Sequence, residues 1–273
     1  KKLESTSIIM NKYLVIGNPI SHSLSPKLHN YWFKQTKIEA EYEKRKLNDT
    51  DLGNVILEMK ENKINGLNVT IPFKNKIIPF LDDLTYESRV TQSVNTIYLE
   101  EDKVVGHNTD IYGFKKSLEK VNFDLTNKSI FILGAGGVVP SIIFALNEMK
   151  VSEIFLSNRT KEKAENLKKM FANLEVLDWG NIPNFDVIIN ATSIGLKNDD
   201  LIDLDLSKIG KNKLFYDLIY NPIETNFLKV AKKQGNIFEN GKLMFVYQAF
   251  QAFKIWHGLE PEINNELLDL LNE

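Results

Sequence analysis

Short apolar runs alternate with helix-length segments along most of this chain. In the segment GLNVTIPFK, residues 66–74, apolar and polar positions alternate. As an extended strand it would place Leu67, Val69, Ile71 and Phe73 on one face and its polar side chains on the other. That polar face would meet either water or a polyhydroxylated ligand. Taken alone, the segment favours water, because alternating strands commonly have one solvated face.

Strand and helix patterns are mixed before residue 110. YLVIG predicts a buried strand, and SPKLHNYWFKQT predicts a helix with Ser25 as N-cap and Pro26 in the first helical position. AEYEKRKL favours an edge strand and DLGNVILEMKEN a helix. Residues 82–89 are helical or looped. VNTIYLEEDKVVGHN predicts a hairpin with its turn at Glu100 to Lys103.

From Ile111 onward, strands alternate with helices. KSIFILGAGGVVPSIIFALNEM reads as strand, glycine turn and helix, and SEIFLSNRTKEKAENLKKMF repeats that unit. FDVIINATSIGL and KLFYDLIYNP add two strands, and GKLMFVYQAFQAFKIWHG and PEINNELLDLLNE are helices that follow the sheet. This spacing predicts βαβ units and a parallel sheet covered on both faces, so the fold class is α/β.

Composition narrows the class of protein. The 273 residues are 43% hydrophobic and 26% charged, with a net charge of −2, which gives no sign of a nucleic-acid surface. There is no cysteine, which excludes disulfides and thiolate metal sites and suits a reducing cytoplasm. No apolar run is long enough to cross a membrane. Residues 1–9 have no long apolar stretch, and we interpret them as an expression leader ahead of Met10.

The glycine turn ILGAGGVV lies directly between a strand and a helix. Glycines at 134, 136 and 137 let a backbone approach a pyrophosphate at the N-terminus of the helix. Val139 departs from the small residue usual at the third fingerprint position. A tight turn that only links strand to helix is the alternative. The βαβ context favours dinucleotide binding.

The residues after the second strand of this unit indicate which dinucleotide binds. NAD sites usually have an acidic residue here for the ribose 2′-hydroxyl, whereas this chain has Asn158, Arg159 and Thr160. The guanidinium of Arg159 suits a 2′-phosphate. Alternatively, the segment is a capping turn with an exposed arginine, and Thr160 caps the helix in either case. The prediction is NADP rather than NAD.

Nine motifs in one order resemble the shikimate dehydrogenase family. They are GNPISHSLSP, NVTIPFK, SVNT, GHNTD, GAGG, NRT, NATSIG, YDLIYNP and GKLMFVYQAFQAFKIWHG. The resemblance implies an N-terminal α/β substrate domain, residues 10–110 with 241–273, and a doubly wound, Rossmann-like NADP domain, residues 111–240. An active-site cleft would lie between them. It also implies reversible NADP-dependent reduction of 3-dehydroshikimate to shikimate, in aromatic biosynthesis.

The resemblance also implies a substrate site built from seven polar residues. The substrate carboxylate would be bound by Ser23, Ser25 and Tyr220. The ring hydroxyls or the carboxylate would be bound by Thr70, Asn95 and Gln248. Asn68 would support the site. Hydroxyl donors at a helix N-terminus suit an anion. Without the other motifs, helix capping by Ser25 and an exposed Ser23 would be the simpler interpretation.

Lys74 and Asp110 match the catalytic pair of the family. Ketone reduction needs a proton as hydride arrives, and a lysine ammonium near the carbonyl can supply it. Asp110 can position the ammonium, although a carboxylate raises a lysine pKa and so opposes desolvation. Whether Lys74 alone or the pair moves the proton stays open. Individually, a surface lysine and a helix N-cap aspartate would be commoner.

The resemblance completes the cofactor site around the nicotinamide. NATSIG matches a loop beside the nicotinamide, and the returning helix would approach it with backbone and side chain. For Met244, core packing is an equal alternative. With the glycine turn, the implied cofactor residues are Gly134, Ala135, Gly136, Gly137, Asn158, Arg159, Thr160, Thr192, Ser193, Gly241 and Met244.

Three positions depart from the family pattern. His107 and Ile111 flank the NTD triplet, where an aspartate and a glycine are common, and Pro140 replaces a frequent arginine after the glycine turn. We interpret His107 as structural or solvent-facing, and the loss of the arginine puts the affinity for NADP in doubt. No histidine spacing indicates a metal site.

Two other functions compete with this prediction. One is a quinate/shikimate dehydrogenase that uses NAD or NADP, and the other is a non-catalytic NADP-binding regulatory module. The regulatory module would be expected to lack Lys74 or Asp110, and both are present. The predicted partners are shikimate and 3-dehydroshikimate, with no nucleic acid or membrane. Monomer and homodimer both stay open, since the first domain could pair through a sheet edge.

Overall fold

The computed structural model describes residues 10–272, so the predicted leader at residues 1–9 lies outside the described residues. Two six-stranded sheets form the framework. The first sheet contains β1 (Asn11–Gly17), β2 (Ala40–Lys46), β3 (Gly66–Val69), β4 (Asp83–Leu84), β5 (Thr96–Glu100) and β6 (Lys103–His107). The second contains β7 (Ser129–Leu133), β8 (Glu153–Ser157), β9 (Leu174–Leu177), β10 (Val187–Asn190), β11 (Leu214–Asp217) and β12 (Ile237–Glu239).

Helices cover both sheets and connect them. In chain order they are α1 (Ser25–Thr36), α2 (Leu52–Lys60), α3 (Tyr86–Thr91), α4 (Asp110–Val121), α5 (Val139–Glu148), α6 (Lys161–Met170), α7 (Asn226–Lys233), α8 (Lys242–His257) and α9 (Asn265–Leu270). Short 3₁₀ turns at Asp49–Asp51 and Ile78–Phe80 complete the connections. The predicted α/β class is confirmed.

The first sheet is mixed, with the strand order β2-β1-β3-β5-β6-β4. β1 pairs in parallel with β2 and β3, and the predicted hairpin is the antiparallel pair β5–β6. AEYEKRKL forms the edge strand β2, as predicted. One face packs on α2 through Val55 and Met59, and the other packs on α1 and α8 through Trp32 and Phe253.

The second sheet is entirely parallel, with the order β12-β11-β10-β7-β8-β9. Counted from β7, this is the 3-2-1-4-5-6 order of dinucleotide-binding folds. Ile130 and Ile132 of β7 face α5, whereas Phe131 and Leu133 face α7. Both faces are therefore covered, as the sequence predicts. The strand order reverses between β7 and β10, where such folds bind their ligand.

Helices α4 and α8 join the two halves. Met244 of α8 packs in the core of the second sheet, and Phe253 of the same helix packs against the first. The backbones of α4 and α8 approach closely at Gly113, where a Cβ atom would lie 2.5 Å from the carbonyl oxygen of Met244. Only glycine fits that approach. This crossing fixes the floor of the space between the sheets.

Several sequence predictions were wrong in detail. The strand predicted across 66–74 ends at Val69, because the chain turns at Pro72, and Ile71 is 65% exposed instead of buried. Ser25 is the first residue of α1 and not its cap; Leu24 occupies that position without a side-chain bond. The prediction also missed β9, β12 and the short β4.

Candidate active site

A cavity of about 490 Å³ opens between the two sheets, beside the carboxyl ends of β1, β3 and β11. All nine residues predicted for substrate binding and catalysis line it, together with Gly241 and Met244. The nine are Ser23, Ser25, Asn68, Thr70, Lys74, Asn95, Asp110, Tyr220 and Gln248. Carboxyl ends of parallel strands meet at one edge of a sheet, which explains why motifs far apart in sequence converge.

Lys74 and Asp110 form an ion pair in the cavity wall. Lys74 Nζ lies 2.6 Å from Asp110 Oδ2, and the two side chains are 14% and 8% exposed. Asp110 begins α4, where the helix dipole favours a carboxylate. The Lys74 carbonyl accepts a hydrogen bond from Val94 N–H at 2.8 Å, which ties the turn to the segment before β5. Asp110 is helical, and the cap position belongs to Thr109.

Amide side chains surround this ion pair. Asn95 Nδ2 donates to Asp110 Oδ1 at 3.1 Å and lies 3.4 Å from Gln248 Oε1. Asn95 Oδ1 accepts from Thr109 N–H at 2.7 Å, which fixes the direction of the amide. Asn68 is 6% exposed, and its side chain bonds Tyr42, Thr96 and the carbonyl oxygen of Asn95. The carboxylate of Asp110 is thus held by donors on both oxygens.

The serine motif and Tyr220 also line the cavity. Ser25 N–H donates to Ser23 Oγ at 3.3 Å at the start of α1. The ring of Tyr220 stacks on Phe245 with centroids 4.8 Å apart. Burial raises the pKa of Tyr220 to about 12, so its phenol is protonated and can donate. Three hydroxyl groups therefore face a position suited to an anion.

The glycine turn lies at the edge of the second sheet. Gly134 adopts φ +105°, and a Cβ there would lie 2.7 Å from the carbonyl oxygen of Ala191. Gly136 and Gly137 face open space, with no atom within 4 Å of a built Cβ. Ala135 between them is half-buried. Helix α5 starts at Val139, so the turn leaves room for a phosphate at a helix N-terminus.

Arg159 lies on the next loop of this edge. It is exposed, and its side chain makes no hydrogen bond or ion pair with the described residues. Asn158 Nδ2 donates to the carbonyl oxygen of Thr160 at 2.8 Å, which shapes the loop. Thr160 occupies the N-cap position of α6, but the predicted capping bond from its side chain does not form. The guanidinium is free to meet a ligand anion.

The NATSIG loop and α8 approach the cavity from the second sheet. Thr192 donates from its hydroxyl to Asn190 Oδ1 at 2.6 Å, whereas Ser193 is exposed. A Cβ at Gly241 would lie 2.0 Å from the carbonyl oxygen of Leu218, so only glycine fits there. Met244 is both in the second core and in the cavity wall. Core packing of Met244 is confirmed, and its contact with the nicotinamide stays a prediction.

A buried carboxylate below this edge holds two loops. Asp217 Oδ1 accepts from Asn190 Nδ2 at 3.1 Å and from Ile219 N–H at 3.0 Å. Asp217 Oδ2 accepts from Thr225 Oγ1 at 2.6 Å. Burial raises the pKa of Asp217 to about 6, although these donors act in the opposite direction. The loops after β10 and β11 are therefore joined through one side chain.

Sequence reasoning missed the apolar lining of the cavity. Val138, Leu196, Leu218 and Phe245 complete its walls. Their residue types did not indicate a binding role. The only available signal was their position close to loops or helix ends that the sequence analysis had singled out. His22 also lines the cavity.

The three departures from the family pattern lie outside the cavity lining. His107 Nδ1 lies 2.8 Å from Thr85 Oγ1, and burial lowers its pKa, so it is structural. Ile111 and Pro140 are buried, Ile111 in the core of the second sheet. Within residues 10–272, no cluster of histidine and acidic side chains is arranged for a metal, and no helix is long and apolar enough to span a membrane.

Comparison with known proteins agrees with this geometry. The shikimate dehydrogenase substrate binding domain matches residues 15–97, and the shikimate / quinate 5-dehydrogenase model matches residues 116–220. NADP(+) shikimate dehydrogenase of Pelagibacter ubique is 57% identical over 95% of this chain and 98% of its own length. The Caldicellulosiruptor bescii enzyme of the same name is 39% identical over 97% and 95%.

Solved structures of shikimate dehydrogenases have a similar fold. Shikimate dehydrogenase from Aquifex aeolicus has a TM-score of 0.88 at 37% identity, over 97% of this chain and 98% of that one. Shikimate 5-dehydrogenase from Thermus thermophilus, in complex with NADP(H) and shikimate, has a TM-score of 0.85 at 30% identity, over 93% and 95%. Sequence, fold and cavity agree, and the chain belongs to the shikimate dehydrogenase family, a family of NADP-dependent oxidoreductases.

Proposed function

We propose that this protein catalyses the reversible, NADP-dependent reduction of 3-dehydroshikimate to shikimate, a step of aromatic biosynthesis. The observation that carries the proposal is the Lys74–Asp110 ion pair, 2.6 Å long, in the wall of the cavity beside a dinucleotide crevice. Hydroxyl and amide groups for a small polyhydroxylated acid surround the pair. The membership of the family supports the same reaction.

The substrate lies between the serine motif and the ion pair. Its carboxylate accepts hydrogen bonds from Ser23, Ser25 and the phenol of Tyr220. Its ring hydroxyls meet Thr70, Asn95 and Gln248 near the ion pair. The Thermus thermophilus relative with NADP(H) and shikimate supports a site for both molecules in this fold. The polar face of the 66–74 segment therefore meets substrate in place of bulk water.

Proton transfer falls to the ion pair. NADPH, when bound, supplies the hydride to the carbonyl carbon of the substrate. Lys74 donates a hydrogen bond to the carbonyl oxygen and delivers the proton that makes the alcohol, either alone or together with Asp110. Asp110 keeps the ammonium in place and contacts the neighbouring hydroxyl. The Asn95 amide holds the second carboxylate oxygen, so Asp110 stays oriented while the substrate turns over.

The second sheet fits NADP. The open space at Gly136 and Gly137 admits a pyrophosphate at the N-terminus of α5. Arg159, exposed and without a protein partner among the described residues, binds the 2′-phosphate, with Asn158 and Thr160 beside it. Thr192, Ser193, Gly241 and Met244 surround the nicotinamide. Pro140 offers no charge, so Arg159 carries most of the preference for NADP.

The rest of the proposal concerns organisation. Residues 10–110 and 241–273 form the substrate half, and residues 111–240 the NADP half. The protein acts as a monomer or a homodimer in the cytoplasm, which suits a chain without cysteine.

The test is absorbance at the reduced-nicotinamide band with shikimate and NADP. We expect rapid NADP reduction with shikimate and much slower reduction with NAD or with quinate. Comparable rates with NAD or quinate would favour the broader quinate/shikimate dehydrogenase. Binding of NADP without reduction in any combination would instead favour a regulatory module and would overturn the proposal.

A further inference from the structure

Tyr42 has a buried polar side chain that the proposed mechanism does not use. It lies on the edge strand β2, paired with Tyr13 of β1, and is 1% exposed. A phenylalanine ring would fill this position equally well. A buried hydroxyl costs free energy unless it has a hydrogen-bond partner. The hydroxyl donates to Asn68 Oδ1 at 2.7 Å and also interacts with the side chain of Ser25.

Two residues of α1 hold Tyr42 in place. The side chain of Asn30 pairs with its backbone, with Asn30 Nδ2 donating to Tyr42 O at 2.9 Å and Tyr42 N–H donating to Asn30 Oδ1 at 3.0 Å. The imidazole of His29 stacks on the phenol, with centroids 4.3 Å and planes 4° apart. Both nitrogens of His29 lack a hydrogen-bond partner within the described part of the chain. Its role is therefore ring contact.

Hydrogen bonds run head to tail from Tyr42 to the ion pair. Asn68 Nδ2 donates to Thr96 Oγ1 at 3.0 Å, and Thr96 Oγ1 donates to Asn95 Oδ1 at 3.2 Å. Asn95 Nδ2 then donates to Asp110 Oδ1 at 3.1 Å. Every donor points toward the carboxylate, so each bond polarises the next.

The first bond of this chain sets the amide of Asn68. Asn68 Nδ2 also donates to the carbonyl oxygen of Asn95 at 3.0 Å. A reversed amide would set its oxygen against that carbonyl oxygen, which cannot donate. With the phenol of Tyr42 in place, the observed direction satisfies all three polar contacts. Without the phenol, the buried Asn68 oxygen has no protein donor.

We propose that Tyr42 is a positioning residue for catalysis, which orients Asp110 through Asn68, Thr96 and Asn95 and so places Lys74 against the substrate. The proposal rests on the proposed function. It assigns a role to a residue of the outermost strand, at the far end of the hydrogen-bond chain from the ion pair. In this proposal, His29 and Asn30 of α1 support Tyr42.

The variant Tyr42→Phe tests the proposal, because it removes only the hydroxyl. We expect kcat/KM for shikimate to fall about five-fold, the size typical of one lost hydrogen bond, with unchanged Kd for NADP. Tyr13→Phe is the matched control. Tyr13 is 5% exposed in the same cluster, and its hydroxyl makes no hydrogen bond with residues 10–272. Equal rates for both variants would overturn the proposal.

A double-mutant cycle with Asn68→Ala separates positioning from general packing. If Tyr42 acts through Asn68, the change Tyr42→Phe has no further effect on kcat/KM in the Asn68→Ala background. The same loss in both backgrounds would show that Tyr42 acts by another route and would overturn the assigned path.

A readout independent of turnover completes the test. The side-chain amide ¹⁵N resonance of Asn68, identified by its absence in Asn68→Ala, should shift in Tyr42→Phe and stay in place in Tyr13→Phe. If the wild-type protein oxidised no shikimate, the proposed function would fail while this resonance still reported the bond from Tyr42. An unshifted resonance in Tyr42→Phe would overturn the positioning role itself.

Discussion

At the scale of single residues, Lys74 and Lys76 differ in burial, although both form an ion pair. Both pair with a carboxylate, Lys74 with Asp110 and Lys76 with Asp49 at 2.7 Å. Lys74 is 14% exposed in the cavity wall, whereas Lys76 is 48% exposed. An exposed pair contributes little to any property, because water and salt screen it. Burial among oriented amides, and not pairing alone, distinguishes Lys74.

Replacing Lys74 with alanine should lower kcat for shikimate oxidation by about 100-fold or more, because the proton-transfer group is lost. NADP affinity, measured by fluorescence titration, should change little, since the proposed role of Lys74 is toward the substrate and not the cofactor. Lys76→Ala is the control and should keep the wild-type rate. A Lys74→Ala enzyme of normal rate would remove this residue from catalysis.

Arg159 should determine the choice between the two cofactors. Arg159→Ala is expected to lower kcat/KM for NADP by about ten-fold or more, as for a lost charge-assisted hydrogen bond, and to leave the value for NAD nearly unchanged. Lys208→Ala removes the same charge from an exposed loop and should alter neither value. Equal losses for NADP and NAD in Arg159→Ala would contradict the 2′-phosphate contact.

At the scale of elements, the sequence predicted what depends on local pattern. The β7–turn–α5 unit follows from an apolar run, three glycines and a helix start, which are adjacent in the sequence. The prediction for Ile71 failed because the strand ends at Val69, and Ile71 lies in the turn that follows, where its side chain is exposed. Tyr42 escaped notice because its partner Asn68 is 26 residues away. Long-range pairing leaves no periodic signal.

The start of α7 offers a prediction at this scale. Thr225 caps the helix by accepting from Leu228 N–H at 3.3 Å and donates to the buried Asp217 at 2.6 Å. Thr225→Val should therefore lower the free energy of unfolding by ~1–3 kcal/mol, measured by urea denaturation. Thr225→Ser keeps both bonds and should recover most of it. An unchanged urea midpoint for the valine variant would show that neither bond matters.

At the scale of the whole molecule, the site exists only because two sheets meet. Lys74 comes from the first sheet and Tyr220 from the second, and α8 packs on both. Motif order predicted which polar residues converge. It could not predict the cavity's volume or apolar walls, because Leu218 and Phe245 carry no chemical signature and depend on how the sheets pack. Residue identity specifies the chemistry, and packing specifies the shape.

Buried titratable groups link the stability of the whole fold to pH. Burial lowers the pKa of His29 from 6.5 to about 3 and that of His257 from 6.5 to about 4. The unfolded chain therefore binds these protons first, so the stability from both histidines is present above pH 6.5 and lost as pH falls. Asp217 acts oppositely: its pKa is raised from 3.8 to about 6, so its contribution is lost as pH rises through that range.

Three histidines with lowered pKa values, His107 included, stand against two carboxyls with raised pKa values, Asp217 and Glu239, so a net loss of stability on acidification is expected. The thermal midpoint should fall between about pH 7 and pH 5, because the unfolded state takes up more protons than the native state. His257→Phe keeps the ring contact with Phe253, whose ring centroid lies 4.4 Å from that of His257, and removes one titrating group. The thermal midpoint of this variant should therefore fall less steeply with decreasing pH. His22→Gln, at an exposed position, should follow the wild-type slope. The thermal midpoints are measured by calorimetry as a function of pH. Identical slopes of midpoint against pH for all three proteins would mean that the buried imidazole rings do not exclude protons. The acid response would then belong to the surface carboxylates.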